Sequence, residues 1–240
     1  MLIPTHLNTA GLRRALRCLR AQRGADWEAI VIDDGTGEGL TVAKSFGDGR
    51  IRAYRNPGCG LTAARNAGLE VARGAVIAWL RDADYWTDAD YLGRHCQALR
   101  QGEALTYSGS ALRRFDDDVK PQFHSPSVTL EVLRSANPLL ISGIAYPAVM
   151  HDWFGGFDAS LELTWDWDWS LRLAQNGVPL RAIKGANISA LIPQTLPNPA
   201  KWSRDLALLA HKHGLRDARI QNLWEVASAQ SGRLEPIAAD

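Results

Sequence analysis

Acidic residues stand at two places where their neighbours give them a chemical use. Asp33 and Asp34 directly follow a β-branched run, and Asp82 and Asp84 come just after another apolar run, which ends at Leu80. Strands that end in acidic and turn residues are typical of the carboxyl edge of a parallel sheet, which is where such sheets bind their ligands. The pattern therefore predicts that the two acidic clusters lie at one edge and line one site.

A third acidic pair, Asp166 and Asp168, lies in a tryptophan-rich segment. On a helix these two residues point about 200° apart, so we expect only one of them to face a substrate. Asp168 has a structural use, because it can pair with Arg172 one helical turn later. Asp166 is then either a reactive carboxylate or the N-cap of the helix that follows.

The elements that must position these acids alternate between strand and helix over the first 85 residues or so. Apolar spacing and turn residues predict, in chain order, a strand stub at 1–3, a helix through Leu12, Leu16 and Leu19, a strand at 28–32, a helix at 40–46, a strand at 51–54, a helix at 61–71 and a strand at 75–80. Alternation of this kind predicts an α/β fold with a parallel, doubly wound sheet.

The second half of the chain is less regular. The pattern predicts helices at 91–99, 130–135 and 168–175, strands at 104–108 and 141–146, a polar loop at 113–127 and helical patterning from 201 to about 231. There is no internal repeat and no clear interdomain linker. We therefore expect one domain with a C-terminal helical extension.

Composition excludes several classes of protein. The 240 residues are 46% hydrophobic and 22% charged, which excludes a disordered chain and a simple coiled coil. The net charge is +1, whereas a nucleic-acid binder is usually far more basic. We therefore expect no nucleic-acid partner.

The sequence also indicates a compartment. No apolar run approaches the roughly 18 residues that a membrane span needs, and the first residues turn polar too early for a signal peptide. Cys18, Cys59 and Cys96 are an odd number without CxxC pairing, which indicates reduced thiols in a cytoplasmic protein. Peripheral membrane contact is permitted by four arginines on the outer face of the first helix, namely Arg13, Arg14, Arg17 and Arg20.

Six short segments, by their order and spacing, resemble the family 2 glycosyltransferases, GT-A fold enzymes that use nucleotide-sugar donors. They are IPT at 3–5, VIDDGT at 31–36, ARNAG at 64–68, LRDADYW at 80–86, GGFD at 155–158, and WDWD at 165–168 followed by LRL at 171–173. The resemblance implies a GT-A, Rossmann-like domain with a mostly parallel sheet flanked by helices. We place this domain at 1–200, with a nucleotide-binding half at 1–90 and an acceptor half at 91–200, and the helical extension at 201–240.

In this family the end of the first strand and the acidic loop after the second hold the base and ribose of the donor. The resemblance therefore implies as nucleotide-binding residues Pro4, Thr5, His6, Asp33, Asp34 and Asp82. His6 stands where the family usually has Tyr or Phe, and its imidazole can still stack on a base. The Asp34 carboxylate can accept the imide N–H of a uracil. The structural alternative for Asp33 and Asp34 is a turn or helix cap.

The LRDADYW segment departs from the family's Leu-Asp-x-Asp-Asp pattern, whose later acids supply a metal-binding carboxylate. Arg81 replaces the first Asp and Ala83 replaces one of the later acids. We predict that Asp82 and Asp84 hold a divalent metal, Mn²⁺ or Mg²⁺, which offsets the charge of the diphosphate. Two alternatives stay open: Arg81 supplies positive charge directly, or turnover has been lost. A structural use of Asp84 is to cap a segment that begins at Tyr85.

By the same resemblance the enzyme is inverting and Asp166 is the general base, although Trp165 replaces the acid that usually precedes it. Of Trp165, Trp167 and Trp169, we expect one to line the acceptor site and two to pack in the core. Arg65 has two uses that the sequence does not separate. It pairs with an acid of a neighbouring loop, or it contacts the ligand.

These observations together predict a glycosyltransferase that moves a sugar from a nucleoside diphosphate donor, a UDP-sugar first of all, to a hydroxyl of a glycan, lipid-linked or other acceptor. The alternative is a catalytically inactive relative that acts as a nucleotide-sugar-binding or assembly module, and the acid lost at Ala83 keeps this alternative open. A nucleotidyltransferase needs a Gly-rich phosphate loop and a lysine after the first strand, and PTHLN at 4–8 offers neither.

Overall fold

A computed structural model describes residues 1–58, 60–113, 127–191 and 198–215, and the structural statements below refer to these ranges. Three parallel strands begin the fold in the order β1-β2-β3. They are β1 (Leu2–Thr5), β2 (Ala29–Asp33) and β3 (Ile51–Arg55). Thr5 pairs with Asp33, and Asp33 pairs with Arg55, so the three carboxyl ends meet at one edge, as the sequence predicts.

Three helices connect these strands and the next one: α1 (Thr9–Arg20), α2 (Glu38–Lys44) and α3 (Leu61–Val71). Helix α1 is a clear amphipath whose N-cap is Asn8, because the Asn8 side chain accepts a hydrogen bond from the backbone N–H of Gly11. Its buried face contains Leu12, Leu16 and Leu19. The four arginines of its other face are exposed, as the apolar spacing predicts.

The second sheet has five strands in the order β4-β7-β6-β8-β5. They are β4 (Val76–Ala78), β5 (Tyr85–Trp86), β6 (Leu105–Arg113), β7 (Ile144–Pro147) and β8 (Leu180–Leu191). An isolated parallel bridge between Leu2 and Trp79 joins β1 to the residue that follows β4. This sheet is mixed rather than parallel, because β7 runs antiparallel to both of its neighbours and β5 antiparallel to β8.

Strand β8 escapes sequence-based prediction for a physical reason. Its pairing with β6 shifts register between Ser108 and Gly109, so that Ile183 and Asn187 face successive residues of β6. Gly185, in the bulge between them, has a φ of +76°, which favours glycine. The bulge breaks the alternation of apolar and polar residues that would otherwise have marked the strand.

The remaining helices are α4 (Tyr91–Leu99), α5 (Leu130–Ser135), α6 (Met150–Phe154), α7 (Trp165–Gln175) and α8 (Pro199–His213). Helix α7 begins three residues earlier than the sequence predicts, which brings Asp166 into its first turn. Helix α8 ends at Gly214 in the left-handed conformation, and the predicted helical patterning beyond 215 lies outside the described residues. Within the described ranges, no helix is long and apolar enough to cross a bilayer.

Candidate active site

The loop after β2 holds Asp34 at the carboxyl edge of the first sheet. Its Oδ1 accepts hydrogen bonds from Asn56 Nδ2 at 2.6 Å and from the backbone N–H of Gly60 at 3.2 Å. His6 is exposed, and its Nδ1 lies 2.9 Å from the Asp34 carbonyl oxygen and 3.9 Å from Oδ2. These contacts fix the orientation of the Asp34 carboxylate beside the His6 ring.

Asp33 has a different use, since both of its carboxylate oxygens are engaged by the backbone. Oδ1 accepts from the N–H of Gly35 at 2.8 Å, and Oδ2 accepts from the N–H of Gly39 at 3.0 Å. These are the contacts that the capping alternative predicts for Asp33. Pro4 is buried within β1, opposite Ile32. Nucleotide contacts by Asp33 and Pro4 stay predictions.

Asp82 lies beside the end of β1. Its Oδ2 accepts a hydrogen bond from Thr5 Oγ1 at 2.8 Å, and the Asn8 side chain is a second hydrogen-bond partner. Burial, the largest influence, raises the pKa of Asp82. A Cβ on Gly11 would lie 2.1 Å from the Asp82 carbonyl oxygen, so only glycine allows α1 to approach this closely. Sequence reasoning missed Asn8 and Gly11, whose helix-capping spacing was the available signal.

Asp84 is fully buried and its carboxylate is closed off by protein donors. Oδ2 accepts from Ser142 Oγ at 2.6 Å, and Oδ1 accepts from the N–H of Leu191 at 3.2 Å. Arg81 Nε lies 3.9 Å from Oδ2. The structural alternative, in which Asp84 caps the segment that begins at Tyr85, is wrong, because the carboxylate accepts from Ser142 and Leu191 and so joins the turn before β7 to β8. The segment itself begins as strand β5.

The metal that the family resemblance implies can be tested against this arrangement. Asp84 exposes no surface, and Asp82 Oδ2 is shared with Thr5. Among the residues that the structure describes, no three His, Cys, Asp or Glu side chains are grouped so that they could hold a metal ion. The pair Asp82 and Asp84 therefore fits a divalent cation poorly. Metal binding at this pair stays a prediction.

Asp166 is the second residue of α7 and is partly exposed. Its Oδ1 accepts a hydrogen bond from the N–H of Trp167 at 2.9 Å, while the N-cap position itself belongs to Thr164. Burial raises the pKa of Asp166 to about 6, against the opposing influence of the Arg65 and Arg81 charges. A carboxyl with such a pKa is suited to proton transfer near neutral pH.

Arg65 of α3 provides the charge that most lowers the pKa of this carboxyl. Its guanidinium carbon is 3.8 Å from the centre of the Trp165 ring, and the side chain is 8% exposed. Burial lowers the pKa of Arg65 to about 9, and the charges of Asp166 and Arg81 act on it in opposite directions. The guanidinium is thus still charged at pH 7 in a largely dry environment.

Helix α3 also builds the segment that leads into α7. Asn66 donates to the carbonyl of Phe157 and accepts from its N–H, both at 2.9 Å. Thr62 Oγ1 donates to the Leu161 carbonyl at 3.2 Å. From α7, Arg172 donates to the carbonyl of Gly156 at 2.7 Å. Hydrogen bonds therefore join the GGFD segment both to ARNAG, through Asn66, and to LRL, through Arg172. The three segments hold one another in position.

The three tryptophans of α7 all belong to the core. Trp165, Trp167 and Trp169 are 5%, 2% and 0% exposed. Trp169 stacks on His151 with 4.2 Å between ring centres, and Trp165 packs edge-on against Phe157. The expectation that one of them lines the acceptor site is wrong, because all three rings are buried in the core.

Asp168 forms the predicted ion pair with Arg172, with 3.0 Å between Nε and Oδ2. Two further partners come from the end of α8: Lys212 Nζ at 2.8 Å and His213 Nε2 at 2.9 Å from Oδ1. Asp205 of α8 accepts a hydrogen bond from the N–H of Leu163 at 2.6 Å. Helix α8 therefore fixes both α7 and the residues just before it.

Comparisons with known proteins agree with this arrangement. The family described as Glycosyl transferase family 2 matches residues 1–159. An uncharacterized glycosyltransferase, YwdF, of Bacillus subtilis (strain 168) is 26% identical over 92% of this chain and 86% of its own length. Another, RP339 of Rickettsia prowazekii (strain Madrid E), is 29% identical over 70% of this chain and 56% of its own length.

Solved structures of S. aureus TarS share the fold. TarS 1-349 in complex with UDP-GlcNAc superposes with a TM-score of 0.69 at 16% identity, over 95% of this chain and 68% of that one. The chain covers 41% of the longer TarS structure. The family match spans more than half of the chain, and the α/β architecture is that of these neighbours. The chain belongs to glycosyl transferase family 2 and is a glycosyltransferase with the GT-A fold.

Proposed function

We propose that this enzyme transfers a sugar from a nucleoside diphosphate donor to a hydroxyl acceptor with inversion, and that Asp166 is its general base. The observation that carries the proposal is the Asp166 carboxylate itself, which is partly exposed at the start of α7 and has a pKa raised to about 6. Such a group is mostly deprotonated at pH 7 yet still takes up a proton readily. The positive charge of the buried Arg65 lowers this pKa and so favours the ionised form of Asp166.

The proposed reaction is a single displacement. The acceptor hydroxyl gives its proton to Asp166 while its oxygen forms a bond to the anomeric carbon of the donor sugar. The bond from that carbon to the diphosphate oxygen breaks, and its electron pair leaves with the nucleoside diphosphate. One such displacement inverts the anomeric configuration. Much of the rate should come from positioning and from stabilising the charge on the leaving group.

We propose a uridine nucleotide as the donor's carrier. Asp34 Oδ1 accepts hydrogen bonds from Asn56 and Gly60, which fix the orientation of the carboxylate. Its Oδ2 is then the oxygen that accepts the imide N–H of uracil. The exposed His6 ring beside it can stack on the base. The structural neighbour TarS 1-349 has been crystallised with UDP-GlcNAc and with UDP, which supports the same nucleotide here.

The acceptor side of the proposal rests on surface chemistry. The exposed arginines of α1 support contact with an anionic membrane surface, where lipid-linked acceptors are found. Cys18 and Cys96, the two cysteines that the structure describes, are both free thiols, which supports a reducing, cytoplasmic setting. A glycan or lipid-linked hydroxyl is the acceptor class that we propose.

A turnover assay with a matched variant tests the proposal. Purified enzyme is incubated with UDP-, GDP-, CDP- and dTDP-sugars, and nucleoside diphosphate release is measured for wild type, Asp166→Asn and Asp152→Asn, the last an exposed acid on α6. We expect release from one donor class, a loss of about 100-fold or more in Asp166→Asn, and unchanged donor affinity by calorimetry. Asp152→Asn should behave as wild type.

Two other outcomes would contradict the proposal. Retained turnover in Asp166→Asn would remove Asp166 from the base position. Tight binding of a donor without release of nucleoside diphosphate, in the presence of hydroxyl acceptors, would favour the non-catalytic binding module instead.

A further inference from the structure

Arg81 is the second residue of the acidic segment, at the place where the resembled pattern has its first aspartate. Its backbone N–H donates to Ser142 Oγ at 2.9 Å, which fixes the start of the segment against the second sheet. The side chain is 33% exposed. Its Nε lies 3.9 Å from Asp84 Oδ2, and its charge influences the pKa of Asp82, Asp166 and Arg65, so the guanidinium lies near residues already assigned to the site.

Arg65 presents a second guanidinium with unused hydrogen-bonding capacity. The Nη1 atom is buried and has no hydrogen-bond partner within the described part of the chain. A buried N–H without an acceptor costs free energy, and the cost is larger for a charged group. Such groups are rare in native proteins unless a ligand, ion or water completes them. An anionic ligand entering the site would satisfy Nη1.

Arg81 already has one acidic neighbour, because its Nε lies 3.9 Å from Oδ2 of the buried Asp84, which also accepts hydrogen bonds from Ser142 and the Leu191 N–H. Arg65 Nη1 forms no hydrogen bond with an acid of the described residues: Asp82 is bonded to Thr5 and Asn8, and the bond that Asp166 Oδ1 accepts comes from its own helix. The same enclosure makes the Asp82 and Asp84 pair a poor fit to a divalent cation. The positive charges that the structure places beside these acids are those of Arg81 and Arg65.

We propose that Arg81 and Arg65 bind the diphosphate of the donor and provide the charge neutralisation that a divalent cation provides elsewhere in this fold. The inference rests on the proposed function, because it assigns the leaving-group site of that reaction. Guanidinium N–H groups bind phosphate oxygens in a bidentate fork, and the Arg65 guanidinium, whose pKa burial lowers to about 9, is still charged at pH 7. As the sugar–oxygen bond breaks, both arginines stabilise the negative charge that gathers on the departing diphosphate.

Calorimetric titration of UDP and uridine into the full-length protein tests this inference, first in EDTA and then with Mn²⁺ added. GDP, CDP and dTDP with their nucleosides are titrated in parallel. We expect wild type to bind its preferred diphosphate in EDTA, with a change of less than about 3-fold on adding Mn²⁺. Arg81→Ala should weaken binding of the diphosphate about 10-fold or more while leaving nucleoside affinity unchanged.

Arg81→Lys should recover part of that loss, because it restores the charge without the fork. Arg65→Lys should weaken diphosphate binding, as Arg81→Ala does. Because Arg65 is buried, the fold of this variant is checked by circular dichroism. Arg134→Ala, which changes an exposed arginine on α5, is the matched control and should leave binding unchanged.

Three results separate the claims. Diphosphate binding that EDTA abolishes and Mn²⁺ restores would overturn the arginine assignment while supporting the proposed function. Unchanged affinity in both Arg81→Ala and Arg65→Lys would also overturn it. Failure of all four diphosphates to bind in either condition would contradict the proposed function itself.

Discussion

The guanidinium carbon of Arg65 lies 3.8 Å from the centre of the Trp165 ring, next to the residue that we assign as the base. The two residues come from different motifs, one on α3 and one at the start of α7. Their contact places a buried positive charge beside the Asp166 carboxyl, whose pKa burial raises to about 6. The contact that anchors the start of α7 therefore also provides the charge that opposes the rise in the pKa of Asp166.

The first prediction concerns the pH dependence of turnover. Asp166 must be ionised to accept the acceptor's proton, and its pKa in the free enzyme is about 6. We therefore expect kcat/KM to be flat above about pH 7 and to fall about tenfold per pH unit below 6. The measurement is nucleoside diphosphate release between pH 5 and 8. A profile that stays flat down to pH 5 would exclude Asp166 as the titrating base.

The second prediction concerns the stability of Asp166→Asn. Because the folded-state pKa of about 6 exceeds the usual 3.8, the ionised carboxylate destabilises the fold at high pH and has no effect below about pH 4. Removing the charge should therefore raise the free energy of unfolding by about 1–3 kcal/mol at pH 8. Urea unfolding at pH 8 and pH 4 measures this difference.

Asp158→Asn is the control of opposite sign for that experiment. A hydrogen bond from Lys212, the first of several favourable contacts, lowers the pKa of Asp158 to about 2. Its contribution to stability is present above pH 4 and is lost as the pH falls through 2. Asp158→Asn should therefore destabilise the protein at pH 8. A destabilised Asp166→Asn at pH 8 would contradict the raised pKa.

The third prediction separates two adjacent acids. Asp33→Ala removes the acceptors of the Gly35 and Gly39 N–H groups, so it should lower the free energy of unfolding by about 1–3 kcal/mol. Asp34→Ala should weaken uridine binding about 10-fold with a smaller effect on stability, because its Oδ2 is the proposed contact to the base. Urea unfolding and calorimetry on both variants check this. Equal uridine affinity in Asp34→Ala and wild type would exclude the contact.

The fourth prediction concerns the contact between α7 and α8. Asp168 is 0% exposed and contacts Arg172, Lys212 and His213, so Asp168→Ala leaves the largely buried Arg172 guanidinium without its carboxylate partner. We expect a loss of about 3–5 kcal/mol in the free energy of unfolding. Glu162→Ala removes exposed pairs with Lys201 and Arg204 on the same helix and should change stability little. A small effect in both variants would mean that α8 does not stabilise α7.

The sequence allowed the first half of the fold to be predicted because each element there follows one period. Strand β2 is a β-branched run that ends at Asp33, and α1 shows strict apolar spacing. Strand β8 could not be predicted, because its bulge at Gly185 interrupts the alternation. Strand β5, with only Tyr85 and Trp86, is too short to carry a pattern.

The site was predictable where chemistry is local and not where it depends on packing. The pairing of Asp168 with Arg172 follows from helical spacing alone. The closure of Asp84 depends on Ser142 and Leu191, which are 58 and 107 residues away along the chain. The burial of Arg65 against Trp165 is likewise a long-range contact, so the sequence could not distinguish its two uses.

The most direct test of the central claim is the stereochemistry of the product. Proton NMR can follow the sugar released or transferred from the preferred α-linked nucleoside diphosphate donor, with spectra taken before the anomers equilibrate. We expect the β-anomer to appear first, and its formation to be lost in Asp166→Asn. First appearance of the α-anomer would contradict a single displacement with Asp166 as its base.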